Sequence, residues 1–277
     1  MLNLSNFLRS VLPYNLYNSL QKTGMTSILK LIFYRKSLKQ NINLKNLKRT
    51  DSVLIVCSGP SLVNIDWFEY ENIDTITVSG TYQLKFFEDL NPLLHIVPEI
   101  SDLKQRYSEA HSWFQEINKY LKDVPLLTSI KHKKIVNKAR KLNDIDDYFL
   151  LSDGAYQRNI IPNTDLTKIL PRPPSVLHVA VSCALYMNYK TILIAGLDDD
   201  ALVSGVYKYG HGSTVWSEGD TSVNAENSQI DYLEELIGKV PSWTGYEVLA
   251  KLANKKGVKI INLNPKSFVP FFQKIKI

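Results

Sequence analysis

A polar turn that contains a glycine follows the first strongly apolar run of the chain, residues 53–57. The turn consists of Ser58, Gly59, Pro60 and Ser61. Gly59 lets a ligand approach the backbone, Pro60 fixes the turn, and Ser61 is expected to cap the next helix and leave N–H groups free. Such N–H groups attract phosphate. The turn lacks the glycine spacing of dinucleotide sites and the lysine of the P-loop, so it predicts neither of these.

A second candidate follows another apolar run, residues 191–195, where Gly196 precedes three consecutive aspartates. Asp198 at a strand end can hold a ribose hydroxyl, a base amine or a neighbouring backbone N–H. Asp198 and Asp200 also have the Asp-x-Asp spacing by which some sugar-transferring enzymes hold Mg²⁺ or Mn²⁺. A helix cap explains the same residues equally well.

A polar, glycine-rich insert spans about residues 199–224 and contains His211. A loop of this length inside a compact domain is usually functional, often as a lid. No apolar periodicity would bury His211, so it is the strongest candidate for a general base near pH 7, although a surface histidine would look the same. For His95 in a predicted strand and His178 on an apolar helix, a structural role in the core is expected.

These candidates lie at the ends of short apolar strands that alternate with helical patterns from residue 52 onwards. Strands that are apolar throughout are typical of a parallel sheet covered on both faces. The sequence therefore predicts an α/β fold, a doubly wound and mainly parallel Rossmann-like sheet with helices on both faces, over residues 51–277. In such sheets ligands bind at the carboxyl ends of the strands.

Residues 1–50 contain nine basic residues and no acidic one, whereas the other 227 residues carry a formal charge of −3. Basic and aromatic side chains on a helical segment suit an anionic membrane surface. We therefore predict a basic amphipathic helical segment with peripheral membrane contact, or alternatively a helical pair that caps the main domain. Because the body offers no basic groove and no known binding motif, nucleic acid is not an expected partner.

Composition excludes several classes. With 44% hydrophobic and 22% charged residues, the chain is neither disordered nor collagenous. Its two cysteines form neither a disulfide scaffold nor a metal-ligand pattern. No apolar run is long enough to span a bilayer, and the first residues do not resemble a secretion signal. We expect a cytoplasmic protein, peripheral on the inner face of the plasma membrane.

Three blocks of the sequence resemble bacterial sialyltransferases of glycosyltransferase family 42, and the turn also resembles that of related motility-accessory-factor and hydroxymethylpterin-pyrophosphokinase-like domains. The blocks are residues 53–62 (VLIVCSGPSL), residues 176–198, which end Gly-Leu-Asp, and residues 260–267 (IINLNPKS). They occur in the family's order. The resemblance implies a GT-A-like variant of the Rossmann-like sheet.

The resemblance also implies roles for individual residues. The nucleotide would contact the turn and other strand ends, namely Ser58, Gly59, Pro60, Ser61, Gly80, Thr81, Glu99, Gly196 and Asp198. Gly80 stands where the family has an asparagine. Arg172 and Ser175 correspond to the pair that holds the donor carboxylate. Tyr207 and Tyr209 would bind the leaving phosphate, and His211 would be the catalytic base.

The function implied is inverting, metal-independent transfer of a sialic-acid-like or Kdo-like sugar from a CMP-activated donor to a surface glycan or glycolipid, without a cofactor. Two alternatives stay open. One is a pyrophosphokinase-like enzyme that binds Mg²⁺ or Mn²⁺ at Asp198 and Asp200. The other is a non-catalytic nucleotide-sugar-binding partner in glycan assembly. This option stays open because Gly80 stands where the family has an asparagine.

Overall fold

The computed structural model of the protein describes residues 25–140, 146–204 and 232–275. Within these residues, nine strands form one sheet in which every neighbouring pair is parallel. The strands are β1 (Ser52–Val56), β2 (Asp74–Val78), β3 (Leu94–Ile96), β4 (Leu126–Ser129), β5 (Tyr148–Ser152), β6 (Ile169–Leu170), β7 (Thr191–Ala195), β8 (Lys259–Asn262) and β9 (Gln273–Lys274).

The spatial order of the strands is β6-β5-β4-β3-β2-β1-β7-β8-β9. The chain builds the sheet outward from β1 to β6, returns to the other side of β1 with β7, and then builds outward in the opposite direction. The direction of winding therefore reverses between β1 and β7. In open α/β sheets this reversal leaves a crevice at the carboxyl ends of the two strands, where ligands bind.

The described helices cover both faces of the sheet. They are α1 (Met25–Lys39), α2 (Tyr107–Tyr120), α3 (Lys133–Ala139), α4 (Val176–Tyr186), α5 (Ala201–Ser204) and α6 (Tyr232–Lys255). Short 3₁₀ helices occur at Gln40–Leu47, Pro60–Asn64, Trp67–Tyr70, Ser79–Gln83, Glu88–Leu90 and Ile130–His132.

The pleat of β1 divides the core into two clusters. Val53 and Ile55 point into a cluster with α4 and α6, whereas Leu54 and Val56 point into a cluster with α1, α2 and α3. Alternate residues of a strand point to opposite faces, so a strand buried on both sides must be apolar at every position. The predicted doubly wound, parallel α/β sheet with helices on both faces is confirmed.

The second half of the basic N-terminal segment packs on the sheet. Leu38 and Leu44 are completely buried, and the Asn41 side-chain amide donates hydrogen bonds of 2.7 Å to the carbonyls of Phe149 and Leu166. Among the residues that the structure describes, no helix combines the length and the apolar character needed to cross a membrane.

One helix departs from expectation. The pattern predicts two helices, near residues 226–238 and 243–256, but within the described residues a single helix, α6, runs through Pro241. Proline removes one backbone hydrogen bond from a helix interior. Tyr246, Leu249 and Leu252, in the second half of α6, are buried in the core.

Candidate functional site

A cleft of about 330 Å³ opens at the reversal point between β1 and β7. One wall comes from the turn after β1 and from the residues that follow β7. The rest of the lining comes from the N-terminus of α4 and from residues 235–246 of α6. The lining residues discussed below are Cys57, Ser58, Gly59, Pro60, Ser175, Gly196, Asp198, Asp199, Asp200, Glu235, Lys239, Ser242 and Tyr246.

Gly59 brings the ends of β1 and β7 together. Its N–H donates to the carbonyl of Gly196 at 3.0 Å. A Cβ atom at position 59 would lie 2.4 Å from that oxygen and 2.6 Å from Asp198 Oδ2, so only glycine fits. Cys57 precedes this turn, and burial raises the pKa of its thiol to about 12, which excludes a thiolate nucleophile there.

Asp198 ties together three distant parts of the chain. Its carboxylate accepts from the Ser61 N–H at 2.9 Å and from the Asn264 side-chain amide at 2.6 Å, and its carbonyl accepts from the Phe268 N–H at 2.9 Å. The sequence suggested a ribose hydroxyl, a base amine or a neighbouring backbone N–H as the partner of Asp198. In the structure Asp198 binds a backbone N–H, that of Ser61.

The prediction that Ser61 caps the next helix is wrong. Gly59 occupies the cap position, and Ser61 lies inside the single 3₁₀ turn Pro60–Asn64. Because the Ser61 N–H donates to Asp198, it is not free to bind a phosphate. The tight packing of Gly59 against β7 brings the Asp198 carboxylate within reach of the Ser61 N–H. This N–H therefore holds the turn in place.

The second aspartate of the run, Asp199, lies beside Lys239. Asp199 pairs with the Lys239 ammonium and accepts from the Trp243 indole N–H at 2.6 Å, while Glu235 pairs with the same ammonium at 2.9 Å. Burial opposes the charge of Lys239, but the hydrogen bonds to the two carboxylates outweigh it and raise the pKa of the ammonium. The Asp200 carbonyl starts the short helix α5. Among the described residues, no three His, Cys, Asp or Glu side chains converge as metal ligands.

The α4 wall carries a row of hydrogen bonds. Ser175 and His178 form a capping box at the start of α4, with Ser175 Oγ 2.9 Å from His178 Nδ1. The Tyr246 hydroxyl lies 3.1 Å from Ser175 Oγ, and His178 Nε2 lies 2.9 Å from the carbonyl of Ser242. The expected core role of His178 is confirmed, since it is completely buried and both ring nitrogens have partners.

Several predicted site residues lie away from the cleft. Gly80 and Thr81 are buried in the 3₁₀ turn Ser79–Gln83. Glu99 pairs with Lys131 at 2.5 Å and accepts from Ser129, and although burial raises its pKa these partners lower it overall. The nucleotide contacts assigned to Gly80, Thr81 and Glu99 are not tested by these positions and stay predictions.

Of the two residues assigned to the donor carboxylate, only one lies at the cleft. Arg172 is exposed, and its backbone N–H donates to the carbonyl of Gly154. Ser175 lines the cleft, whereas Arg172 does not. The predicted His211, Tyr207 and Tyr209 lie outside the described residues, as does most of the lid-like insert.

The sequence-based search missed the contribution of α6. Four polar or aromatic lining residues recur along this helix at intervals of four, three and four: Glu235, Lys239, Ser242 and Tyr246. This spacing places them on one face of the helix. The helical spacing of these four residues was the available signal.

Neither the comparison with protein-family models nor that with curated protein sequences gives a match. Among solved structures, the chain is similar to the sialyltransferase CstII from Campylobacter jejuni in complex with a substrate analogue, cytidine-5'-monophosphate, with 13% identity, a TM-score of 0.42, and coverage of 81% of this chain and 84% of that chain. A structure of the sialyltransferase CST-II with a trisaccharide acceptor and CMP gives 15% identity, a TM-score of 0.45, and coverage of 81% and 85%. So distant a likeness does not place the chain in a family.

Proposed function

We propose that the protein is a glycosyltransferase that moves a sialic-acid-like or Kdo-like sugar from a CMP-activated donor to a glycan or glycolipid acceptor at the cell surface. One observation carries the proposal. The three sequence blocks that resemble the sialyltransferase family meet at Asp198, which lines the cleft, through the Gly59–Gly196 hydrogen bond and the contacts of Asp198 with Ser61 and Asn264. This cleft also lies at the reversal point, where doubly wound sheets bind nucleotides.

The proposed chemistry divides between the described cleft and the residues outside it. In sugar transfer, positive charge develops on the sugar while negative charge develops on the departing phosphate. Hydrogen-bond donors stabilise that phosphate, and in the proposal Ser58 and the residues Tyr207 and Tyr209 provide them. His211 accepts the proton of the acceptor hydroxyl, and transfer proceeds with inversion and without a metal.

The experiment that tests this proposal is calorimetric titration with CMP, UMP and GDP. We expect CMP to bind most tightly. Gly59→Ala should weaken that binding at least tenfold, because the new methyl group forces the ends of β1 and β7 apart. Gly257→Asn is the matched control: position 257 has open space, and asparagine tolerates its left-handed backbone. Failure of all three nucleotides to bind would overturn the proposal.

A donor-hydrolysis assay then separates the alternatives. Cleavage of a CMP-sugar that is insensitive to EDTA supports metal-independent transfer. Activity that is lost in EDTA and restored by Mg²⁺ would favour the pyrophosphokinase-like reading through Asp198 and Asp200. Tight CMP binding without any cleavage would favour a non-catalytic partner in glycan assembly.

We also propose peripheral contact with an anionic membrane through the N-terminal segment. The outward side of α1 is apolar in its first half and basic in its second, with exposed Ile28, Ile32, Phe33, Arg35, Lys36 and Lys39. Such a surface suits a lipid headgroup region. Cosedimentation with phosphatidylglycerol vesicles, but not phosphatidylcholine vesicles, is expected. The double substitution Lys36→Glu and Lys39→Glu should abolish it, whereas Lys255→Glu with Lys256→Glu should not.

A further inference from the structure

A row of four hydrogen-bonding groups lies along the cleft wall, and its direction follows from chemistry. The row begins at the carbonyl of Ser242, which can only accept a hydrogen bond. His178 Nε2, at 2.9 Å, therefore carries the ring proton. The carbonyl of Ser175 lies farther from Nδ1, at 3.3 Å, and the Ser175 backbone N–H donates to Nδ1 at the same distance, which makes Nδ1 the acceptor. Burial lowers the pKa of His178 to about 4, so the ring is neutral at physiological pH and its other nitrogen, Nδ1, is an acceptor.

The donor and acceptor roles of the next two hydrogen bonds follow from this assignment. The Ser175 hydroxyl, 2.9 Å from His178 Nδ1, donates its proton to that nitrogen. Toward the Tyr246 hydroxyl, at 3.1 Å, Ser175 Oγ can then only accept. The Tyr246 hydroxyl accordingly donates to Ser175. Once its proton is committed in this way, the Tyr246 oxygen can only accept a hydrogen bond from any other group.

Packing holds this row in place. The rings of Tyr246 and His178 stack with centroids 4.3 Å apart and an angle of 8° between their planes. Gly245 lies against the same imidazole, because a Cβ atom there would be 2.4 Å from its Cδ2 and Nε2 atoms. Tyr156 contacts His178 as well, with centroids 5.5 Å apart. The imidazole therefore has little room to rotate and reverse the row.

The charges around the cleft agree with this direction. Asp198, Asp199, Asp200 and Glu235 line it together with a single described cation, Lys239, which two of these carboxylates already hold. Carboxylates are acceptors when ionised. A ligand group facing Tyr246 thus meets acceptors, and it must bring a proton of its own.

We propose that Tyr246 recognises a hydroxyl or amine group of the bound nucleotide sugar, and that His178 is a positioning residue that fixes the direction of the hydrogen bonds through Ser175. This inference rests on the proposed function for the identity of the ligand. A cytidine donor offers such groups at the 4-amino position of the base, at the ribose hydroxyls and on the sugar. The hydrogen-bond direction itself does not depend on the ligand.

The first test measures that direction without a ligand. The ¹⁵N chemical shifts of the His178 ring, assigned by comparison with His178→Gln, should report a proton on Nε2 and none on Nδ1 between pH 5 and 8. A proton on Nδ1 would reverse the row and overturn the inference, whether or not the protein is a glycosyltransferase.

The second test measures recognition. Binding of CMP, UMP, 2'-deoxy-CMP, 3'-deoxy-CMP and CMP-N-acetylneuraminic acid is compared between the wild type and Tyr246→Phe, which keeps the stacked ring. Loss of one neutral hydrogen bond should weaken binding roughly fivefold. The loss should vanish for the probe that lacks the recognised group: UMP for the base amine and a deoxy-CMP for a ribose hydroxyl. A loss confined to the CMP-sugar would assign the contact to the sugar.

The control is Tyr156→Phe. Tyr156 also contacts His178 and its hydroxyl is hydrogen-bonded to Ser182, but it does not line the cleft. This variant should leave all five affinities unchanged. If Tyr246→Phe changes every affinity by the same factor, or none, the inference fails. If no probe binds the wild type, the proposed function fails instead, and the ¹⁵N measurement still decides the direction.

Discussion

The two ends of the parallel strands each contain a buried aspartate, and the two residues do different work. At the amino end, Asp74 accepts hydrogen bonds from the backbone N–H groups of Arg49 and Thr50, from the Tyr189 hydroxyl at 2.7 Å, and from the Arg49 guanidinium. At the carboxyl end, Asp198 accepts from Ser61 and Asn264. Asp74 fastens the chain that enters the sheet, whereas Asp198 fastens a turn that lines the cleft.

Cavity size alone would select the other end of the sheet. The amino end has a cavity of about 690 Å³ lined by Trp67, Phe68 and Phe86, about twice the volume of the cleft at the carboxyl end. The smaller cleft lies at the reversal point of the sheet and is lined by Asp198, where the three sequence blocks converge. The choice of the cleft as the candidate site therefore rests on topology and on this convergence, not on volume.

The largest expected effect is a difference in the pH window over which each end loses stability. At the carboxyl end, burial lowers the pKa of His132 and of His178 to about 4. The unfolded chain binds these protons near the ordinary histidine pKa of 6.5, so protons favour unfolding and stability falls as the pH drops from 6.5 to 4. Each histidine contributes roughly 3 kcal/mol to this loss.

Asp74 behaves differently. Burial alone would raise its pKa, but the hydrogen bonds from Arg49, Tyr189 and Thr50 outweigh burial and lower the pKa below the ordinary value of 3.8. Its stabilisation is present above that value and is lost as the pH falls through the lowered pKa. Urea unfolding between pH 7.5 and 3 measures both windows. His178→Gln should make the loss of stability in the upper window smaller without abolishing it, because His132 still titrates there. A flat profile from pH 6.5 to 4.5 would contradict this prediction.

Next in size is the substitution Asp74→Ala. It leaves the Thr50 N–H and the buried Tyr189 hydroxyl without their acceptor, so the free energy of unfolding should fall by roughly 3 kcal/mol. Urea denaturation at pH 7 measures it, with Asp51→Ala as the control, because the Asp51 side chain is 75% exposed. The folded variant should retain nucleotide affinity in the cleft.

The smallest expected change in stability follows Asp198→Ala, which removes two hydrogen bonds and should cost roughly 2 kcal/mol. Its effect on the cleft should be larger, with CMP affinity reduced at least tenfold because the Ser58–Ser61 turn loses its anchor. The ratio of binding loss to stability loss therefore distinguishes the two aspartates. If Asp198→Ala unfolds the protein as readily as Asp74→Ala and leaves CMP affinity intact, the two ends do not differ as described here.

Much of the architecture could be predicted because its signals are local. Strands buried on both faces are rich in apolar and β-branched residues, which made β1, β2 and β7 recognisable from their own residues. The carboxyl-end rule then pointed to Gly59, Gly196 and Asp198, all of which line the cleft. The predicted cap at Ser61 was wrong for a physical reason. The Ser61 N–H, which local sequence patterns leave free, donates to the Asp198 carboxylate from a distant part of the chain.

By itself, the sequence determined which segments become strands, that the sheet is parallel, and that glycine at position 59 permits a close approach. Only the tertiary structure decided what each polar group touches. Ser61 and Asp198 are 137 residues apart, Ser175 and Tyr246 are 71 apart, and Asp198 and Asn264 are 66 apart. Backbone preferences act between near neighbours, whereas a side-chain hydrogen bond needs two atoms within about 3 Å, and only the packed sheet brings such distant residues together.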